Sequence, residues 1–261
     1  MHDRAYLRDV QYRDYANLGA RAELHRRFGT HRVGFHRWVF DHLELPSDAW
    51  VLEVGCGPGL FWEANADRVP QGWTVVLTDF SPGMIGAARR RLGDRWRFAM
   101  ADAEALPHPA GRFDAVIAGH MLYHVPDRHR AIREMARVLR PHGSLHAATN
   151  GGDHMRELDE LASRWLGAGW AQRGATRFGL EDGARQLGRA FGRVELRPRP
   201  GELLITEAEP AAAYLRSVAG DEWDAEPLRR EVAAVIAREG AFRVRTSMGL
   251  FVARSPLQSR S

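Results

Sequence analysis

The sequence predicts an α/β protein built on a doubly wound, mainly parallel sheet. Between about residues 50 and 149, short β-rich runs alternate with stretches of helical periodicity. This alternation is typical of parallel strands joined by crossover helices that cover both faces of a sheet. A glycine-rich turn after the first run also fits a strand that leads directly into a helix. The predicted strands are Trp50–Val54, Trp73–Thr78, Trp96–Met100, Phe113–Ala118 and Ser144–Thr149.

Two of the intervening helices carry start signals. Ser81 followed by Pro82 supplies a capping hydroxyl and a first-turn proline between the second and third strands. Asp127 can cap a helix between the fourth and fifth strands, whose apolar residues up to Leu139 recur on one face. Pro141 and Gly143 are expected to end that helix.

The segments on either side of this core differ from it. Residues 1–45 read as two helices rich in aromatic and histidine side chains, and residues 151–192 are helical and interrupted by glycines. We therefore expect a helical N-terminal cap at 1–45, a core at 46–150, and the rest of the sheet with helical lid insertions at 151–261. The later signals are strands at Val194–Arg199, Leu203–Thr206 and Phe242–Ala253, and helices near Pro210–Val218 and Glu226–Glu239.

The composition excludes several functions. All 37 basic residues are arginine, so a lysine Schiff base or a lysine general base is impossible. A net charge of +4 could indicate nucleic acid, but the arginines are scattered among acidic residues, which makes that partner a poor fit. Cys56 is the only cysteine, so no intrachain disulfide can form. Neither a secretory pattern nor an apolar run of membrane length is seen, and we expect a cytoplasmic protein that does not bind membranes.

The strongest functional signal lies between Val51 and Gly59, where a buried strand enters a glycine-rich turn and then a helix. Glycine lets the backbone pass close to a bound ligand. Dinucleotide sites share this pattern, but they require a small residue at the sixth position of the loop, where this chain has Leu60. Glu53 just before the loop suits a ligand with an ammonium group and is unfavourable beside a pyrophosphate.

Acidic residues end the next two predicted strands. Asp79 follows the second strand, where a carboxylate can accept hydrogen bonds from both hydroxyls of a ribose; the alternative is a helix-capping role. Asp102 follows the third strand and could accept from an adenine amino group, with a backbone donor at Ala103; the alternative is a surface turn.

These motifs, with Phe113–Ile117 and Leu139–Leu145 downstream, resemble the UbiE-like group of class I methyltransferases over about residues 45–149. The resemblance implies a seven-stranded Rossmann-like sheet whose last strand is antiparallel, and S-adenosylmethionine as cofactor with S-adenosylhomocysteine as product. It also implies a role for each motif residue. The methionine part would contact Glu53, Gly55, Cys56 and Gly57, the ribose Asp79, the adenine Phe80, Met84, Asp102 and Ala103, and the sulfonium Gly119 and His120.

The acceptor side is less defined. We take His120, Tyr12 and Tyr15 as candidate catalytic side chains and His36 as a further acceptor contact, and simple helix packing is an equal alternative for each. His120 and His124 lie four residues apart, as some metal ligands do, but no third ligand stands at a recognisable spacing. We therefore expect no metal.

Three function classes remain open at this stage. The first is a methyltransferase acting on a small molecule, with bacterial secondary metabolism as one setting and a monomer or a homodimer as its state. The second is an RNA methyltransferase, which the scattered charge disfavours. The third is a nicotinamide-dependent reductase, which Leu60 and Glu53 disfavour. A relative that binds the donor without catalysis is also conceivable.

Overall fold

The computed structural model describes residues 16–167, 177–219 and 224–257, and these form one seven-stranded sheet with helices on both faces. The sheet order is β3-β2-β1-β4-β5-β7-β6, and β7 runs antiparallel to both of its neighbours while the other pairings are parallel. The doubly wound sheet with an antiparallel last strand is thus confirmed. Its strands are β1 Trp50–Val54, β2 Thr74–Asp79, β3 Arg97–Met100, β4 Phe113–Gly119, β5 Leu139–Asn150, β6 Phe191–Ile205 and β7 Phe242–Pro256.

Nine α-helices and one short 3-10 helix, Leu122–His124, occur in the described segments, and none of them is long and apolar enough to cross a membrane. The α-helices are α1 Ala16–Phe28, α2 Phe35–Phe40, α3 Leu60–Ala64, α4 Pro82–Leu92, α5 Arg128–Val138, α6 Arg156–Leu166, α7 Gly183–Leu187, α8 Ala208–Ala219 and α9 Glu226–Glu239.

The predicted helix starts are confirmed. The Ser81 hydroxyl accepts a hydrogen bond from the Met84 backbone at 3.3 Å, which caps α4, and the Asp127 carboxylate accepts one from the Arg130 backbone at 3.0 Å, which caps α5. The predicted end of α5 was too late. The helix stops at Val138, because Leu139 already pairs with Phe113 of β4 as the first residue of β5.

The last strands also differ from the prediction. The two signals at Val194–Arg199 and Leu203–Thr206 belong to a single strand, β6, which pairs continuously with β7. Pro198 and Pro200 do not interrupt it, because β6 lies at the edge of the sheet, where a missing backbone donor need not break a ladder.

Beyond the end of β5, the β6 and β7 strands continue as a two-stranded ribbon, because Asn150 pairs with Met248 while β6 and β7 remain paired as far as Ile205 and Phe242. Helices α1, α6, α8 and α9 pack on this ribbon around a hydrophobic cluster of their own. We call this unit the cap. Its buried residues include Leu24 and Phe28 of α1, Leu158 of α6, Leu203, Leu215, Leu228, Val232 and Val244.

The main sheet has a separate hydrophobic cluster on each face. One contains Ile132 and Met135 of α5, and the other contains Phe61 and Trp62 of α3 with Val39 of α2. The two N-terminal helices therefore divide their packing: α1 joins the cap, and α2 lies against the main sheet.

Candidate active site

The carboxyl ends of β1, β2, β3 and β4 meet at one edge of the sheet, and the predicted donor residues lie there. The glycine loop follows β1, Asp79 ends β2, Asp102 follows β3, and Gly119 ends β4. The strand order reverses between β1 and β4, and open α/β sheets bind ligands outside the carboxyl ends of strands at such a point. We call this edge, from Glu53 to His120, the donor edge.

Asp79 holds the glycine loop in place. One carboxylate oxygen accepts from the Gly57 backbone at 2.9 Å and the other from the Ser81 backbone at 2.8 Å. The Phe80 backbone also donates to this carboxylate, and since a carboxylate has about four lone-pair directions, about one remains for a ligand's hydroxyl group. Burial raises the pKa of Asp79, and the hydrogen bonds from Ser81 and Gly57 oppose that rise. The geometry combines the loop contact with capacity for a ribose.

The glycines of the loop differ in what an added side chain would contact. Gly55, Gly57 and Gly59 all have positive φ, at 73°, 54° and 83°. A Cβ at Gly55 would lie 2.9 Å from Met121, and one at Gly59 would lie 2.7 Å from Leu92. At Gly57, by contrast, a Cβ would meet nothing within 4 Å.

Gly119 faces open space in the same way, with nothing within 4 Å of an added Cβ. Gly57 and Gly119 stand at the carboxyl ends of neighbouring strands, β1 and β4. Packing therefore explains Gly55 and Gly59, while the open space at Gly57 and Gly119 leaves room for a ligand along the donor edge.

Glu53 is buried at the end of β1, with 4% of its surface exposed. Trp62 of α3 donates its indole N–H to the carboxylate at 2.6 Å. Burial raises the pKa of Glu53 to about 8, with a further contribution from the negative charge of Asp79, whereas the Trp62 hydrogen bond lowers it. A ligand's ammonium group would stabilise the ionised form. The sequence did not reveal Trp62, because nothing in the spacing shows that α3 turns this ring back under the loop.

The residues proposed to contact adenine fall into two groups that differ in exposure. Phe80 exposes 39% of its surface at the end of β2, as a ring that stacks on a ligand would. Asp102 accepts a hydrogen bond from the Glu104 backbone at 2.9 Å, which fixes its turn. Met84 and Ala103 are 1% and 7% exposed, so protein atoms enclose them. Their contacts with adenine stay predictions.

Cys56 stands inside the loop, and its backbone N–H donates to the Thr78 carbonyl at 2.9 Å. Its thiol is buried, and burial raises the pKa of Cys56 well above the usual value. A thiol in this state is a weak nucleophile at neutral pH. Cys56 therefore contributes loop geometry at the donor edge.

His120 follows β4 in a left-handed conformation, with φ of 52°, and its backbone N–H donates to Ala148 of β5 at 3.0 Å. Non-glycine residues rarely adopt this conformation, and such residues concentrate at functional sites. The ring lies 5.0 Å from Phe35 of α2, centre to centre. Burial lowers the pKa of His120 to about 3, and the charges of His36 and His25 lower it further.

The structure places His36 near His120, because both rings contact Phe35. Tyr12 and Tyr15 lie outside the described residues. Burial lowers the pKa of His36 to about 4, and its ring lies 6.0 Å from Phe35. Tyr12 and Tyr15 precede residue 16, so their proposed roles stay predictions. In the described segments no three histidine, cysteine or acidic side chains form a group that could hold a metal ion.

The sheet order, the antiparallel β7 and the glycine loop at the donor edge define the class I methyltransferase fold. Residues 52–147 match the family described as a methyltransferase domain. The cofactor of this class is S-adenosylmethionine. The open space at Gly57 and Gly119, the acidic Glu53 and the aligned Asp79 fit it.

Two curated relatives share this region. The chain is 37% identical over 122 residues to a ubiquinone/menaquinone biosynthesis C-methyltransferase UbiE from Hahella chejuensis, over 45% of this chain and 49% of the relative. It is 34% identical over 168 residues to the methyltransferase GfsG from Streptomyces halstedii, over 54% of this chain and 57% of the relative. The chain thus spans about half the length of the curated relatives it matches.

Solved structures share the fold over a longer range. A phosphoethanolamine N-methyltransferase 2 from Haemonchus contortus, in complex with phosphomonomethylethanolamine and S-adenosylhomocysteine, is similar with a TM-score of 0.61 at 17% identity. The similarity covers 97% of this chain and 60% of that one. At this level of identity, the likeness describes the architecture of the sheet and the cap.

Proposed function

We propose that this protein transfers a methyl group from S-adenosylmethionine to a small-molecule acceptor. The observation that carries the proposal is the open space in front of Gly57 and Gly119, bordered by Glu53, Asp79 and Phe80 at one edge of the sheet. The family match over residues 52–147 supports a methyltransferase over a nicotinamide-dependent reductase.

Each part of the donor has a candidate partner in this arrangement. Glu53 would bind the ammonium group, Asp79 the ribose hydroxyls, and Phe80 and Asp102 the adenine. The sulfonium of a bound donor supplies an activated methyl group. Much of the rate enhancement then comes from holding the acceptor close to that methyl group in the correct orientation. The protein's own task is then to align the acceptor and exclude water from the reacting atoms.

The acceptor would lie beside His120, at the end of β4 and below α2. Because the pKa of His120 is lowered to about 3, its ring is neutral at pH 7 and is a weak base. We therefore assign it a hydrogen bond to the acceptor, with proton removal only where the acceptor is already acidic. Tyr12 and Tyr15 stay candidates for the same site, and cytoplasmic location and a monomeric or dimeric state stay predictions from the sequence.

Titration calorimetry of the purified protein with S-adenosylhomocysteine, NAD and NADP tests the proposal. We expect micromolar binding of S-adenosylhomocysteine and no heat from the two dinucleotides. Binding of NAD or NADP in preference to S-adenosylhomocysteine would reject the methyltransferase assignment. Transfer of labelled methyl groups from S-adenosylmethionine to a set of small molecules and to total RNA then separates the small-molecule proposal from the RNA alternative.

A further inference from the structure

Two histidines outside the donor motifs meet above the same edge of the sheet. His154 follows β5, whose carboxyl end lies beside that of β4, and His25 belongs to α1 of the cap. Their rings stack, with centres 5.6 Å apart and planes 10° from parallel. The cap and the main sheet therefore approach each other through a pair of imidazoles.

The backbone fixes His154 in this position. The next residue, Met155, has φ of 62°, and its N–H donates to the Arg245 carbonyl of the ribbon at 2.9 Å. The Ser247 backbone N–H donates to Nδ1 of His154 at 3.2 Å. Because Nδ1 accepts this bond, the neutral ring carries its proton on Nε2 and offers that N–H as a donor.

His25 and His154 lie within electrostatic range of the histidines already described. Positive charge on His25 lowers the pKa of both His120 and His154, and positive charge on His36 lowers that of His120. Phe35 contacts the rings of His36 and His120. We call these four residues, His25, His36, His120 and His154, the histidine wall.

The rings of the histidine wall keep unused hydrogen-bonding capacity. All four residues are partly exposed. Among the described residues, no side-chain hydrogen bond engages the imidazole of His25, His36 or His120. Because these rings are partly exposed, their nitrogens can form hydrogen bonds with a ligand that reaches them.

The histidine wall carries no fixed charge. Burial lowers the pKa of His25 and of His36 to about 4, so both rings are neutral at pH 7. No carboxylate or guanidinium of the described residues contributes to the pKa shift of any member. A charged ligand group would lose its hydration here without an opposite charge to compensate.

We propose that the histidine wall binds the methyl acceptor and that it selects an uncharged molecule through a hydroxyl or carbonyl group. A hydroxyl can donate to an unprotonated imidazole nitrogen and accept from Nε2–H of His154. This inference rests on the proposed function, because the acceptor must lie next to a donor bound at the donor edge. His25 and His154 would be positioning residues on the side of the acceptor that faces the cap.

A matched set of probes tests the charge preference. 4-Hydroxybenzamide, 4-hydroxybenzoate and tyramine share a phenol and carry a neutral, an anionic and a cationic group. Calorimetry with protein saturated in S-adenosylhomocysteine should show binding of the benzamide at least about tenfold tighter than of either charged probe. Tighter binding of a charged probe, or no binding of the benzamide at millimolar concentration, would overturn the inference.

Ring-preserving variants separate acceptor binding from donor binding. His25→Phe and His154→Phe should each weaken benzamide binding about tenfold and change S-adenosylhomocysteine affinity less than twofold. His129→Phe, an exposed site on α5, is the control. Unchanged benzamide affinity in both wall variants would show that the pair only packs. If the wild-type protein does not bind S-adenosylhomocysteine, the proposed function itself is rejected.

Chemical modification provides a test without variants. Diethylpyrocarbonate reacts with neutral imidazoles that solvent can reach. His25 and His154 should react in the S-adenosylhomocysteine complex, and 4-hydroxybenzamide should slow both reactions. His146 of β5, which is 1% exposed, is the internal control and should stay unmodified. Reaction of His25 and His154 no faster than His146 would overturn the inference.

Discussion

The donor edge and the cap differ in how the chain builds them. The donor edge comes from a run of about 70 consecutive residues, in which a candidate binding residue stands at or near the carboxyl end of each of β1 to β4. The cap joins α1 to a ribbon and helices that follow more than 120 residues later, as the contact of Arg21 with Ser217 illustrates. The proposed cofactor site is thus local in sequence, whereas the proposed acceptor surface is assembled from distant segments. The predictions below test whether the two regions are also separable in function.

The largest expected effect is at the donor edge. Gly119→Val places a side chain into open space without a backbone penalty, because Gly119 does not have positive φ. We expect S-adenosylhomocysteine affinity to fall by about a hundredfold, the upper end of the roughly 1–3 kcal/mol that overfilling a packed site costs. The melting temperature should not change.

Gly34→Val is the matched control, because Gly34 also has nothing within 4 Å and no positive φ but precedes α2 on an exposed surface. Gly57→Val should also abolish binding, although its φ of 54° adds backbone strain. Normal binding by Gly119→Val would show that the open space is unrelated to the donor.

A smaller loss is expected from Asp79→Asn, which keeps the size of the side chain and removes its charge. A charge-assisted hydrogen bond contributes about 1.5–3 kcal/mol, so S-adenosylhomocysteine affinity should fall by about 10–100-fold. Asp114→Asn is the control, because Asp114 also accepts a backbone hydrogen bond, from Trp50 at 2.7 Å, but at the opposite end of the strands. Equal effects of the two variants on affinity would contradict the ribose assignment.

Proton release gives the third prediction. In the free protein the pKa of Glu53 is raised to about 8 by burial, so Glu53 is mostly protonated at pH 7. A bound ammonium group favours the ionised form, so binding should release a proton, and affinity should rise about fivefold from pH 7 to pH 8. Calorimetry in buffers of different ionisation enthalpy measures the release.

Two controls assign that proton to the ammonium contact. 5′-Methylthioadenosine, which keeps the adenosyl thioether and lacks the ammonium group, should bind without proton release. Glu53→Gln should remove the release for S-adenosylhomocysteine. Equal proton release by both ligands would place the titrating group elsewhere on the donor edge.

The smallest effect is expected where the cap alone is changed. Arg21 of α1 donates two hydrogen bonds to Ser217 of α8, one to the hydroxyl at 3.0 Å and one to the carbonyl at 2.6 Å. Arg21→Leu should speed amide hydrogen exchange in α1, because hydrogen bonds from a charged group contribute about 1.5–3 kcal/mol to docking. S-adenosylhomocysteine affinity should stay within twofold.

Arg26→Leu is the control in the same helix, since Glu23 of α1 itself is the one residue with which Arg26 pairs among those that the structure describes. It should leave hydrogen exchange in α1 near the wild-type rate. A loss of donor affinity in Arg21→Leu as large as that in Asp79→Asn would show that the cap and the donor edge act as one unit.

The sequence predicted the donor edge well, because its signals are short-range. A capping serine, a positive-φ glycine and an acidic strand end each depend on a few neighbours, and Ser81, Gly57 and Asp79 all lie where expected. The continuity of β6 through Pro198 and Pro200 could not be predicted, because it depends on β6 being an edge strand, which is a property of the whole sheet.

The contacts of the cap were harder to predict, because they too depend on how distant parts of the chain pack together. His154 lies in a turn with no motif, and its position depends on the left-handed backbone of Met155 and on a hydrogen bond from the ribbon 93 residues later. His25 meets it only because α1 packs on α8. Sequence periodicity predicts that such helices exist, and tertiary packing decides which of their side chains meet.

The late position of the ribbon in the chain has a consequence for biosynthesis. Arg21 and Ser217 are 196 residues apart, so at roughly 5–20 residues per second the ribosome needs about 10–40 s to supply the partner of α1. Strands β1 to β5 are complete by Asn150, well before β6 and β7 emerge. During this interval the nascent chain holds the elements of the donor edge while Leu24 and Phe28 of α1 have no cluster to join. These apolar side chains are therefore exposed to chaperones during translation, and they become buried only once β6 and β7 have paired.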